Sequence, residues 1–175
     1  MNLKYDKSSA DYQNLCEIEK VRKKLNTNGK QYEKFIAVQG GVIYSTNGFY
    51  MLAVKAENIV DGVYQIIKGK NEVVLMPDDD GIHFPKCTDI EVLCTEYGEA
   101  EILKQHGDNV SVPYCHVIKS MGDDIMDVNI FKPIHETGFF SFFKVCKGDD
   151  NHKPVVLFDS ETESTKRAYI MGMRF

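Results

Sequence analysis

The chain has 175 residues, 43% of them hydrophobic and 27% charged, a globular balance that excludes collagen-like, disordered and membrane-spanning classes. Lys and Arg number 21 against 26 Asp and Glu, for a formal net charge of −5, so bulk charge does not attract nucleic acid and any such contact must come from a local patch. The cysteines Cys16, Cys87, Cys94, Cys115 and Cys146 are odd in number without C-x-x-C spacing, and no secretory apolar segment follows Met1; reduced thiols and a cytoplasmic location are expected, and the Asn109-Val110-Ser111 sequon is read as silent.

Alternation of Leu3 and Tyr5 within Met1 to Lys7 predicts a short opening strand. Ser8-x-x-Asp11 has the form of a capping box. Leu15, Ile18, Val21 and Leu25 recur at helical spacing, which predicts a first helix from about Asp11 to Leu25, ended by Asn26-Thr27-Asn28-Gly29. The period then shortens. Tyr32 to Val38, Val42 to Ser45 and Phe49 to Lys55 read as three antiparallel strands, divided by the turn pairs Gly40-Gly41 and Asn47-Gly48. Gly62 to Ile67, Glu72 to Met76 and Ile82 to Phe84 continue the meander, the last two joined through Asp78-Asp79-Asp80-Gly81.

Ile90 to Ile102 reads as a strand pair around Gly98, followed by a Gly107-Asp108-Asn109 loop. Pro113 in a first turn, the stripe Tyr114, Val117, Ile118 and Met121, and Gly122 as a cap predict a short second helix. Strands are predicted again at Ile125 to Phe131, Phe139 to Val145, Val155 to Asp159 and Arg167 to Met173, with turns at Lys147-Asn151 and Ser160-Lys166. This order is a crude duplication of a helix followed by an antiparallel meander. The expected class is α+β, with helices on one face of the sheets. One domain is expected over 1–175: a first half to about residue 58, inserted strands over about 59–103, and a second half from about 104.

On the first helix Lys20, Lys23 and Lys24 project opposite the apolar stripe, as phosphate contact would require; on the residues alone a solvated face whose cations complement the helix macrodipole is the preferred account. Glu17 and Glu19 flank this patch. The second predicted helix turns Lys119 and His116 outward. His83, Cys87 and Cys94 lack the second ligand pair that a structural zinc site needs, and the Asp78 to Gly81 tetrad has Met76 and Cys87 where a calcium loop needs acids, so no metal or cofactor is expected. Cys115 and His116 are adjacent and do not face one another on a helix. No G-x-S-x-G, phosphate loop or H-E-x-x-H occurs, so no catalytic residues are assigned and a non-enzyme is expected.

Two segments carry a family resemblance. Pro154 to Asp159 followed by Arg167-Ala168-Tyr169-Ile170-Met171-Gly172-Met173-Arg174-Phe175 resembles the last hairpin of the bacterial DNA polymerase III beta subunit, the sliding clamp, which closes on a Tyr-x-x-Met-Pro-Met-Arg-Leu type ending. Gly172 stands where that pattern has proline, and Phe175 where it has leucine. Tyr44-Ser45-Thr46-Asn47-Gly48-Phe49-Tyr50-Met51 is similar to the clamp segment Ala-Thr-Asp-Gly-His-Arg-Leu, keeping Thr46 and Gly48 but not the Asp, His or Arg. The resemblance covers the chain as one clamp-type domain.

It implies a non-catalytic protein of DNA replication, a processivity or tethering factor. Helix residues Lys20, Lys23, Lys24 and Lys119 would face double-stranded DNA and meet its backbone without sequence preference. Because one domain cannot encircle a duplex, it implies a homo-oligomeric ring of roughly six copies. It further implies a pocket for a DNA polymerase or another replication protein, walled by Met171, Met173 and Arg174 and faced by Thr46, Gly48 and Met51. The alternative is a clamp-fold interaction module that does not encircle DNA and binds its partner through the C-terminal strand region or a sheet edge.

Overall fold

The computed structural model describes residues 2–25, 29–93, 97–106, 114–119, 124–140, 142–146, 155–158 and 165–171. The chain divides into two compact units, Met1–Cys87 and Thr88–Phe175. Both combine helix with antiparallel strands, an α+β construction as the sequence predicts.

The first unit begins with β1 (Leu3–Asp6) and α1 (Ala10–Lys24), followed by a single 3₁₀ turn (Gln31–Lys34). The strands β2 (Ile36–Gln39), β3 (Val42–Thr46), β4 (Tyr50–Lys55), β5 (Gly62–Lys68) and β6 (Glu72–Pro77) complete it. Within the unit the order is β1-β6-β5-β2-β3-β4. Leu15, Ile18, Val21 and Leu25 are all buried, so the apolar stripe read from the sequence is the face that α1 lays over β1, β5 and β6. Each such side chain contributes about 1.5–3 kcal/mol of burial.

Ser9, not Ser8, precedes the helix, and its side chain makes no capping bond. The Ser8-x-x-Asp11 pattern is therefore not a capping box. Asp11 instead lies fully buried and accepts the backbone N–H groups of Glu57 and Asn58, each at 2.9 Å, fastening the start of α1 to the segment after β4. Both predicted glycine turns form. Gly40 and Gly41 take positive φ, and their N–H groups are held by the Asp61 carboxylate at 2.8 and 3.3 Å.

Two expectations in this unit are corrected. Tyr32 lies in the 3₁₀ turn, and β2 starts only at Ile36. Ile82 to Phe84 is not a strand. The Asp78 carboxylate accepts the N–H groups of Asp80 and Ile82, and the chain then returns past Gln39, which donates to the Pro85 carbonyl and accepts from the Cys87 N–H, both at 3.1 Å. Phe84 spends its apolar surface on Tyr32, edge to face at 5.9 Å, rather than on a cross-strand neighbour. The segment from 59 to 77, read as inserted, supplies β5 and β6, which hydrogen-bond between β2 and β1.

The second unit comprises α2 (Thr88–Leu93), β7 (Tyr97–His106), β8 (Tyr114–Lys119), β9 (Asp124–Asp127), α3 (Val128–His135), β10 (Phe142–Cys146), β11 (Val155–Phe158) and β12 (Lys166–Ile170). Its strands follow the order β12-β11-β10-β7-β8-β9. Three sequence expectations fail here. The first part of Ile90 to Ile102 is the helix α2, leaving one strand rather than a pair around Gly98.

Tyr114 to Lys119 is a strand, not the second helix. It hydrogen-bonds to β7 on one side and β9 on the other, and two ladders override a six-residue helical stripe. The helix lies instead at Val128–His135, in a run that reads as strand because of Ile125, Val128 and Ile130. Asp127 starts it by accepting the Asn129 N–H at 2.8 Å, and Phe131 and Ile134, three apart, are its buried face. Glu91 of α2 holds Arg167 at 2.9 Å and accepts from the Tyr169 hydroxyl at 3.2 Å. The expectations at residues 26–28 and 107–113, at Met121 and Gly122, and at the turn residues 147–151 and 160–164 lie outside the described residues.

Candidate functional site

The residues that stand out converge at one end of the first unit, where the last turn of α1, the 3₁₀ turn and the β3–β4 turn meet. Glu19, buried on α1, pairs with Arg22 at 3.2 Å and with Lys23 at 3.3 Å. Lys20 pairs with Glu17 at 3.3 Å. Lys23 nevertheless keeps 67% of its side chain exposed, and the more exposed Lys20–Glu17 pair holds only about 0–1 kcal/mol, so both ammonium groups remain within reach of a competing anion.

Lys24, Lys30 and Lys34 are exposed and make no ion pair among the described residues. Between Lys20 and Lys34 the sequence holds six basic side chains and one carboxylate, Glu33, which is itself buried. Glu19 and Glu33 are buried and the five lysines are exposed, whereas Arg22 is largely covered, with 14% of its side chain exposed. Sequence reasoning singles out Lys20, Lys23 and Lys24 but misses Arg22, Lys30 and Lys34. The fifteen-residue charge imbalance is the available signal.

Beside these cations the β3–β4 turn is tightly built. Thr46 stands opposite Met51 in the ladder. Its hydroxyl donates to the Tyr50 carbonyl and accepts the Gly48 N–H at 3.1 Å, while the Asn47 side chain accepts the N–H groups of Phe49 at 2.9 Å and Tyr50 at 3.1 Å. Gly48 sits at φ +91°, and a side chain there would begin 3.4 Å from the Tyr32 hydroxyl. The Tyr32 hydroxyl of the 3₁₀ turn thus lies close to the hairpin tip.

Tyr50 points to the α1 side. Burial pushes its phenol up to about 12; the Ser45 hydroxyl and Arg22 act against that rise, and Glu33 and Glu19 add to it. The phenol is therefore neutral at physiological pH and puts no negative charge beneath the cations.

The remaining sequence-assigned positions are distributed otherwise. Lys119 ends β8 in the second unit, on a strand rather than on an outward helix face. Thr46, Gly48 and Met51 come together in the β3–β4 hairpin, with Thr46 and Met51 buried. Met171 follows β12 and is half-buried, while Met173 and Arg174 lie outside the described residues. His83 is exposed and Cys87 buried, and among the described residues no three His, Cys, Asp or Glu side chains are grouped to hold a metal ion. Among those residues no helix is long and apolar enough to cross a membrane.

No protein-family model and no curated protein sequence matches the chain. Solved structures do. The chain is similar to bacterial DNA polymerase sliding clamps. The sliding clamp of Pseudomonas aeruginosa aligns with all of this chain and 67% of its own at 10% identity, with a TM-score of 0.49. DNA polymerase III subunit beta of Borrelia burgdorferi, solved with a natural product, aligns with 99% of this chain and 64% of its own at 13% identity and a TM-score of 0.49. The beta chain of Streptococcus pneumoniae gives 100%, 65%, 10% and 0.47. The chain thus spans 64 to 67% of the length of these clamp subunits.

Proposed function

We propose that the chain is a non-catalytic, clamp-like protein that contacts duplex DNA through phosphates and serves replication as a processivity or tethering factor. One observation carries the reading: Lys20, Lys23, Lys24, Lys30 and Lys34 are exposed while Glu19 and Glu33 are buried. A chain of net charge −5 repels polyanions on average, so a local positive face gives both attraction and placement. The two units, each with a helix on antiparallel strands, support two halves of one clamp-type domain. Encirclement would then come from assembly of several copies, and a polymerase or another replication protein would be the further partner.

A second reading, a clamp-fold interaction module that does not encircle DNA, is favoured by the partners that Lys20 and Lys23 already have. Fluorescence anisotropy on a labelled duplex separates the two. The first predicts low-salt binding that a Lys23/Lys24/Lys30/Lys34 alanine variant loses; an unmodified chain without duplex affinity at low salt would leave the second.

A further inference from the structure

The hairpin tip beside the cations carries a feature that duplex backbone contact does not use. Phe49 is 54% exposed, although it belongs to a turn whose every neighbour is tied. Single exposed hydrophobic side chains are common on protein surfaces and need no special reason. The surroundings of this one are less ordinary. The Asn47 side-chain oxygen holds the N–H groups of Phe49 and Tyr50, the Thr46 hydroxyl holds that of Gly48, and Asn47 and Thr46 are themselves buried. The phenyl ring is therefore displayed from a fixed backbone, and little further ordering is needed for it to receive a flat partner.

Lys30, just before the 3₁₀ turn, and Lys34, at its end, come from the segment that approaches this tip, since the Tyr32 hydroxyl between them lies close to Gly48. The last turn of α1 closes the group, as Arg22 and Glu19 act on Tyr50, the residue after Phe49. An exposed aromatic ring at the same end of the unit as exposed ammonium groups matches a ligand that offers planar bases and phosphates together. A duplex hides its base faces in the stack and can use only the cations; a single strand can use both.

We propose that Phe49 is a stacking platform for an unpaired base, so that this end of the first unit holds a single-stranded stretch or the single-stranded end of a DNA duplex. The inference rests on the reading that the Lys23, Lys24, Lys30 and Lys34 face meets phosphates, and it adds a base-stacking residue to that face. The phosphates lie over the lysines and the exposed base lies on the ring, without sequence preference, since every base has a π face.

The test compares a fluorescein-labelled oligothymidylate with a blunt duplex of equal length, using the full chain and its Phe49→Ala and Phe49→Trp variants. Phe49→Ala should weaken oligothymidylate binding about fivefold or more and leave duplex binding unchanged. Phe49→Trp should restore the affinity. The natural sequence contains no tryptophan, so the new indole is the sole one, and its emission should be quenched by oligothymidylate but not by inorganic polyphosphate, which has charge and no bases. Equal losses for oligothymidylate, duplex and polyphosphate, or no loss with Phe49→Ala, would overturn the platform while leaving phosphate contact standing. If the unmodified chain binds neither nucleic acid at low salt, the DNA reading fails and this inference with it. Tight capture of an acidic base-free polymer in preference to oligothymidylate would likewise reject a nucleic-acid ligand.

Discussion

Replacing Asp11 tests how α1, and with it the cationic end, is held in place. Its carboxylate accepts two backbone N–H groups at 2.9 Å each from Glu57 and Asn58, and the side chain is fully buried. Hydrogen bonds to a charged acceptor contribute about 1.5–3 kcal/mol apiece. Glu57 and Asn58 are exposed, so once freed their N–H groups can turn to water and the low end of that range applies. Asp11→Ala should therefore cost about 3 kcal/mol. Asp11→Asn keeps one acceptor oxygen but presents an NH₂ group to the other donor, so it should recover less than half. Urea unfolding followed by circular dichroism would show the loss as a lower midpoint at unchanged slope. Hydrogen exchange would locate it, with the Glu57 and Asn58 amides losing protection first. An unchanged midpoint for Asp11→Ala, or unchanged exchange at those two amides, would refute the reasoning.

Two further outcomes follow from the same region. The Tyr50 phenol is raised from 10.0 to about 12, so the folded chain holds that proton more tightly than the unfolded one. The resulting stabilisation is complete below pH 10 and is lost as pH rises toward 12, by about 2–3 kcal/mol in all. Alkaline denaturation of the natural chain against Tyr50→Phe should show that loss only in the natural chain, and parallel curves would contradict it. Gly48→Ala forces a side chain onto φ +91° and to within 3.4 Å of the Tyr32 hydroxyl; it should lower stability by about 1–2 kcal/mol, which thermal unfolding would show as a reduced melting temperature.

Much of the first unit is legible in the sequence because its signals are local. Leu15, Ile18, Val21 and Leu25 mark one face of α1, and the Gly40-Gly41 and Asn47-Gly48 pairs have the backbone freedom their turns require. The second unit is less legible because its elements are decided by pairing. Tyr114 to Lys119 carries a helical stripe yet gains two ladders as a strand, and Val128 to His135 has β-branched residues but is started as a helix by the Asp127 side chain. The cationic end is visible only in part. Lys20, Lys23 and Lys24 sit on one helix, whereas Lys30 and Lys34 belong to the segment around the 3₁₀ turn, and the burial of Glu33 between them is a property of the fold.

The salt dependence of duplex binding tests the central claim most directly. If Lys23, Lys24, Lys30 and Lys34 meet phosphates, the logarithm of the affinity should fall against the logarithm of salt concentration with a slope of about −3 to −4, since each neutralised phosphate contributes about −0.9. Alanine at all four positions should bring that slope close to zero. A slope near zero in the natural chain, or the same slope in both proteins, would contradict the account.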